Sequence, residues 1–237
     1  MAGKRGSRPA RGRTEEQARR RLVIGTVVAA AVVVLFVIGY LGQQPQAGSD
    51  GDPFALAVQP MAGNPSAPVT VVEFGDFKCP YCAMFATEFY PALREAYVDT
   101  GKARFYFINF AFIGADSLTA AAAGEAVYDQ DPEAFWAFYE ALYANQGPED
   151  QEWATPEVLL DLARQAAPGL DFEALERALD NPAYRERVEA DIEIARRLGV
   201  RGVPALFVDG ERVEDWTLDG LSAAIDAALA EQGSESP

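Results

Sequence analysis

A seven-residue run of strand formers, Val69-Thr-Val-Val-Glu-Phe-Gly75, is followed four positions later by Cys79-Pro80-Tyr81-Cys82. An apolar helical pattern then continues to about Thr100. This junction constrains the fold more than any other feature of the chain. The run is apolar on both faces apart from Glu73, as a central strand covered by helices would be. Proline suits the first helical position, where its missing N–H is not needed. A helix that opens at Cys79 aims free backbone N–H groups and the positive end of its dipole at that sulfur, which favours the thiolate. Cys79 is therefore expected to be exposed and activated, with Cys82 one turn on, on the same side and more buried. Pro91 lies inside the helical pattern and is expected to kink it.

Composition narrows the chemistry. The 237 residues include no histidine and only two cysteines. Histidine-dependent hydrolysis, histidine metal sites and histidine pH switching are excluded. A disulfide-stapled scaffold is excluded too, because this pair closes only a tight loop. Zinc needs four ligands, and neither a third cysteine nor a histidine is available. Inert burial of both cysteines is the bland alternative. The reactive one is thiol–disulfide exchange, in which one sulfur is attacked, a mixed disulfide forms and the second sulfur resolves it.

The net charge of −16 is unevenly spread. Residues 1–21 carry +6, residues 22–41 carry none and the remainder carries −22. So acidic a body repels a phosphate backbone, and nucleic acid is not an expected partner. Leu22 to Leu41 is an unbroken 20-residue apolar run. As a helix it spans about 30 Å, the thickness of the hydrocarbon core. The basic flank places the N-terminus in the cytoplasm and the body outside. A cleaved signal peptide is the alternative, although its apolar region is normally shorter. The expected organisation is a basic cytoplasmic tip (1–21), a transmembrane helix (22–41), a linker (42–61), one folded domain (62–231) and a disordered tail (232–237).

Within the body, Arg104 to Phe110 reads as a second buried strand. From about 115 to 198 the pattern is helical. Asp131-Pro132, Thr155-Pro156 and Asn181-Pro182 each place an N-cap residue before a proline at the first helical position. Phe135, Trp136, Phe138, Tyr139, Leu142 and Tyr143, at helical spacing, read as core rather than as a cofactor-binding box. A strand at Ala205–Val208, a turn at Asp209-Gly210, a short strand near Val213 and a helix from about Leu218 to Ala230 complete the chain. The order predicts an α/β fold, a small mixed sheet with helices on both faces and a helical insert in the middle.

Val71-Val-Glu-Phe-Gly-Asp-Phe-Lys-Cys-Pro-Tyr-Cys82 resembles the active-site strand and helix of thioredoxin-fold proteins of the DsbA type, with the anchored BdbD-like branch the best match. Gly202-Val203-Pro204-Ala-Leu-Phe-Val-Asp-Gly210 resembles the cis-proline loop of that family and the hairpin after it. The resemblance spans about residues 62–231. It implies a thioredoxin fold with an inserted helical subdomain, and an extracytoplasmic thiol:disulfide oxidoreductase that introduces disulfides into exported proteins. By the same resemblance Cys79 is the nucleophile, Cys82 the resolving cysteine and Pro204 the cis-proline. Val203, Pro204, Pro80 and Tyr81 would meet the substrate. Glu73 would be a buried acid beneath the pair, relaying a proton to Cys82. No cofactor other than the Cys79–Cys82 disulfide and no metal is implied. The implied partners are reduced exported proteins and an integral-membrane thiol oxidase that restores the disulfide. Lys78 is read as a solvated side chain. Tyr81 departs from the histidine that many oxidising members carry, and supplies no cation. A reductase or isomerase on the same scaffold, and a peptide-binding chaperone-like module, are the alternatives.

Overall fold

The computed structural model describes residues 51–235. The expected transmembrane helix, the basic tip, residues 42–50 of the linker and the last two residues of the tail lie outside these. Among the described residues no helix is long and apolar enough to cross a membrane.

Five strands form one mixed sheet in the order β1-β3-β2-β4-β5. They are β1 (Met61–Ala62), β2 (Val69–Gly75), β3 (Ala103–Asn109), β4 (Ala205–Val208) and β5 (Glu211–Val213). The doubly apolar run is indeed central. β2 lies parallel to β3 and antiparallel to β4, so that Glu73 stands between Phe107 and Leu206. β1 pairs antiparallel with β3, and β5 antiparallel with β4. The β4–β5 turn needs two residues at positive φ, and Asp209 (46°) and Gly210 (90°) supply them.

The β2–β3 crossover, α1, runs from Pro80 to Val98 as alternating α (Pro80–Met84, Tyr90–Leu93) and π (Phe85–Phe89, Arg94–Val98) stretches. The interruption expected at Pro91 takes this form, a π turn on either side of the missing N–H. Five helices separate β3 from β4: α2 (Ala115–Gln130), α3 (Pro132–Ala144), α4 (Pro156–Ala166), α5 (Phe172–Leu179) and α6 (Pro182–Arg197). The three proline-marked starts are all capped as the sequence predicts. Asp131 accepts from the N–H groups of Glu133 and Ala134, Thr155 from Val158, and Asn181 from Ala183. The last helix, α7, is Leu218–Glu235, so residues 232–235, expected in a disordered tail, instead continue the helix.

Alternation along the strands divides the core in two. Val69, Val71, Phe105, Phe107, Leu206 and Val208 face α1, α3 and α7, and the aromatic stretch of α3 is core on this side. Val72, Phe74, Tyr106, Ile108, Ala205 and Phe207 face Val188, Ile192, Ile194 and Ala195 of α6. Part of the segment read as linker belongs to the domain. Phe54 is buried against Phe74 and Phe207, with ring centroids 6.2 and 5.3 Å away. Leu56–Val58 forms a 3-10 turn, and β1 adds an edge strand. That segment is tied in by polar contacts as well. Gln59 donates to Asp191 at 2.8 Å. Asn109 bridges Asp191 (3.1 Å) and Glu125 (2.8 Å), and Arg187 pairs with Glu125. Burial pushes the carboxyls of Glu125 and Asp191 up.

Candidate active site

Between β2 and α1 the chain turns over Asp76. Its carboxylate accepts from Lys78 N (2.9 Å), Phe112 N (2.9 Å) and Ile113 N (3.1 Å), and its carbonyl accepts from Cys79 N (2.9 Å). Gln146, just past α3, donates to the carbonyls of Phe77 (2.8 Å) and Cys79 (3.0 Å). The backbone that carries the first cysteine is thus held from both flanks.

The two thiols titrate in opposite directions. Cys79 is held below the ordinary thiol value, chiefly because the Cys82 thiol hydrogen-bonds to its sulfur. Burial opposes this, and the backbone N–H groups of Cys82 and Tyr81 at the helix start assist it. Cys82 is pushed well up, first by burial, then by donating to Cys79 and by the charges of Glu73 and Cys79. The sequence places Cys79 in the open. The structure corrects this, because the residue is only 5% exposed. The loop at Val203-Pro204, whose peptide bond is cis, lies against it, and the thiol donates to the Val203 carbonyl at 3.4 Å. The exposed apolar surface beside Cys79 is Tyr81, 58% exposed, whose ring meets Trp216 edge-on at 6.2 Å. Pro80 is exposed, while Val203 and Pro204 are half-buried.

Glu73 is fully buried on β2, on the face that meets α1 and α3. Burial pushes its pKa up to about 8, the hydrogen bond from Tyr139 counteracts this, and the Cys79 charge adds to it. The Tyr139 hydroxyl donates to Oε2 at 2.8 Å, whereas Oε1 has no hydrogen-bond partner.

Lys78 is not solvated. Its side chain is 4% exposed and its ammonium sits 2.7 Å from Asp116 Oδ1 and 2.9 Å from the Gln151 carbonyl. The other oxygen of Asp116 accepts from Trp153 N (3.0 Å) and Ala154 N (3.2 Å). The charge of Lys78 is thus spent on the helical insert and not on the thiolate. Among the described residues no group of three or more Cys, Asp or Glu is arranged to hold a metal ion.

Sequence reasoning missed Tyr139, Gln146 and Asp116 as parts of this site. For Tyr139 a signal existed, since a tyrosine on a core face needs a partner for its hydroxyl and Glu73 was the acid on offer. Gln146 and Asp116 carry no local signature.

These buried acids fix the pH dependence of stability. A carboxyl whose folded pKa lies above its unfolded value near 4.5 contributes most at low pH, and that contribution is lost as pH rises through the folded value. For Glu73 the window is about pH 4.5 to 8, at up to about 1.4 kcal/mol per pH unit. Glu125 and Asp191 act in the same direction. Asp116, held below its ordinary 3.8 against the raising effect of burial by its bonds from Lys78, Ala154 and Trp153, contributes above that value and loses its share in acid. Urea melts should therefore show stability falling from pH 5 to pH 8, with a shallower fall in Glu73→Gln. A stability that rises over this range contradicts the assignment.

The family model described as Thioredoxin matches residues 57–227. A probable disulfide bond formation protein D of Bacillus cereus is 38% identical over 214 residues, 90% of this chain and 99% of the relative. Disulfide bond formation protein D of Bacillus subtilis is 36% identical over 172 residues, 72% of this chain and 77% of the relative. Among solved structures, oxidised BdbD of Bacillus subtilis aligns with a TM-score of 0.71 at 35% identity, over 74% of this chain and 95% of that one. The strand–Cys-x-x-Cys–helix junction, the cis-proline loop against it and these likenesses agree, and the chain belongs to the thioredoxin-fold, DsbA-like disulfide oxidoreductases related to BdbD.

Proposed function

We infer that the chain forms disulfide bonds in other proteins, with its own Cys79–Cys82 disulfide as the oxidant. The observation that carries this is the Cys79–Cys82 pair at the start of α1, with the cis Val203-Pro204 loop against its first sulfur and with Cys82 and Glu73 both fully buried. A client thiolate attacks the Cys79 sulfur, the Cys79–Cys82 bond breaks, and Cys82 leaves as a thiolate. A buried thiolate of raised pKa needs a proton, and Glu73, mostly protonated at neutral pH, supplies it. The second client thiolate then attacks its partner sulfur in the mixed disulfide. Cys79 departs as the favoured thiolate, the client gains a disulfide, and the enzyme holds the two electrons. A membrane thiol oxidase that accepts those electrons completes the cycle. Val203 and Pro204 lie against Cys79, and Pro80 and Tyr81 are exposed beside it. This suits contact with an extended client backbone of varied sequence.

The apolar run at residues 22–41 after a basic tip supports a single-pass anchor with a cytoplasmic N-terminus and an extracytoplasmic catalytic domain. Protease added to spheroplasts should digest the domain from outside, and protection there overturns the topology.

Trapping tests the chemistry. Oxidised protein transfers the bond and releases the client. Cys82→Ala, activated at Cys79 as a mixed disulfide and offered a client with a single thiol, leaves neither Cys82 nor a second client thiol to break the new bond. Covalent Cys79–client adducts should therefore accumulate on non-reducing gels. Absence of adducts would sink the exchange reading.

A further inference from the structure

We propose that Tyr139 is a positioning residue of the exchange reaction, whose hydroxyl occupies Glu73 Oε2 and leaves Oε1 as the oxygen that passes a proton to and from Cys82. The proposal rests on the exchange reading above and adds to it a residue on the helical insert.

Three observations support it. The hydroxyl lies 2.8 Å from Oε2, and both residues are fully buried. Oε1 is buried without a hydrogen-bond partner, so one carboxyl oxygen is committed and the other is not. The ring of Tyr139 is packed independently of its hydroxyl, against Phe107 (5.2 Å), Tyr143 (4.9 Å) and Trp136 (5.4 Å). Phenylalanine would fill the same space, so packing does not explain the hydroxyl.

The titratable groups that face Glu73 are Cys79, Cys82 and Tyr90 from the Cys79–α1 side, and Tyr139 and Tyr143 from α3. Its strand neighbours in register, Phe107 and Leu206, are apolar. Burial and the Cys79 charge raise the proton affinity of Glu73, and the Tyr139 bond lowers it. The hydroxyl therefore sets how much carboxylate is present at neutral pH. That fraction matters when the pair is re-formed. The Cys82 thiol gives its proton to Glu73, and the resulting thiolate attacks the Cys79 sulfur of a mixed disulfide. The Cys79–Cys82 bond forms, and the other thiolate leaves with the electron pair of the bond that breaks.

A single-turnover reaction of the reduced full chain with the aromatic disulfide 5,5′-dithiobis(2-nitrobenzoate) separates the steps. Cys79 releases a first coloured thiolate, and attack by Cys82 on the adduct releases a second. In Tyr139→Phe the pH midpoint of the second release should rise by about one unit, and its rate at pH 7 should fall about tenfold. In a Glu73→Gln background the same substitution should have no further effect on the second release. An unshifted midpoint, or equal slowing in both backgrounds, overturns the proposal. So does a Tyr139→Phe protein that fails to fold, because the hydroxyl would then be structural. Absence of any release from the unmutated chain is a different result, and it removes the exchange reading instead.

Discussion

Cys79→Ser should lower the rate of disulfide transfer to a reduced client by at least about a thousandfold. A hydroxyl is neither a thiolate nor a leaving group in disulfide exchange, and no other sulfur can replace the lost one. The chain has only one more cysteine. Cys82 is fully buried, and its ionisation is opposed by burial and by the charge of Glu73. The substitution is nearly isosteric at a helix start that keeps its backbone bonds to Asp76, Ala83 and Gln146. Stability should therefore change by no more than about 1 kcal/mol. Transfer assays alongside urea melts separate the two effects. Full transfer by a folded Cys79→Ser protein would favour the peptide-binding alternative, in which the thiols are incidental.

Lys78→Ala should be the most destabilising single substitution near the site, by about 3–5 kcal/mol. Lys78 and Asp116 are 4% and 3% exposed and 2.7 Å apart, so removing the ammonium leaves a buried carboxylate with only the amides of Trp153 and Ala154. The pair also ties the Asp76 turn to the start of α2 and to the 151–154 loop. Once the pH falls through the lowered value of Asp116 its carboxyl takes up a proton, and the mutant and the unmutated chain should converge. Denaturant melts at pH 7 and in acid read both limbs. A loss under about 1 kcal/mol at pH 7, the value for a solvent-exposed pair, contradicts the burial of this one.

The contrast between Cys79 and Lys78 shows what the sequence carried. The strand, the Cys-x-x-Cys spacing and the helix start are local, and so are the caps at Asp131, Thr155 and Asn181. All of them were legible. The central place of the strand was legible too, from its two apolar faces, whereas the depth of Glu73 followed from the family resemblance. Lys78 was misread because Asp116 lies 38 residues further along the chain and meets it only after α2 has packed. Cys79 was placed in the open because the carbonyl that covers it comes from Val203, 124 residues on. Residues 54–61 read as linker because their composition is that of a loop and β1 is two residues long. A strand so short leaves no periodicity to detect. Tyr139 was correctly assigned to the core, but its hydroxyl met its partner, Glu73, only once α3 was laid across β2.

The reduction potential of the Cys79–Cys82 pair bears most directly on the claim of a disulfide-forming enzyme. The Cys79 thiolate is stabilised by the Cys82 thiol and by the N–H groups of the helix start, and a disulfide forfeits those bonds. The reduced form is thereby favoured and the disulfide made oxidising. Equilibration of the full chain with glutathione redox buffers should give a value nearer to about −120 mV, that of the strong oxidant DsbA, than to about −270 mV, that of the reductant thioredoxin. A potential at or below about −270 mV would contradict the oxidase account and favour a reductase on the same scaffold.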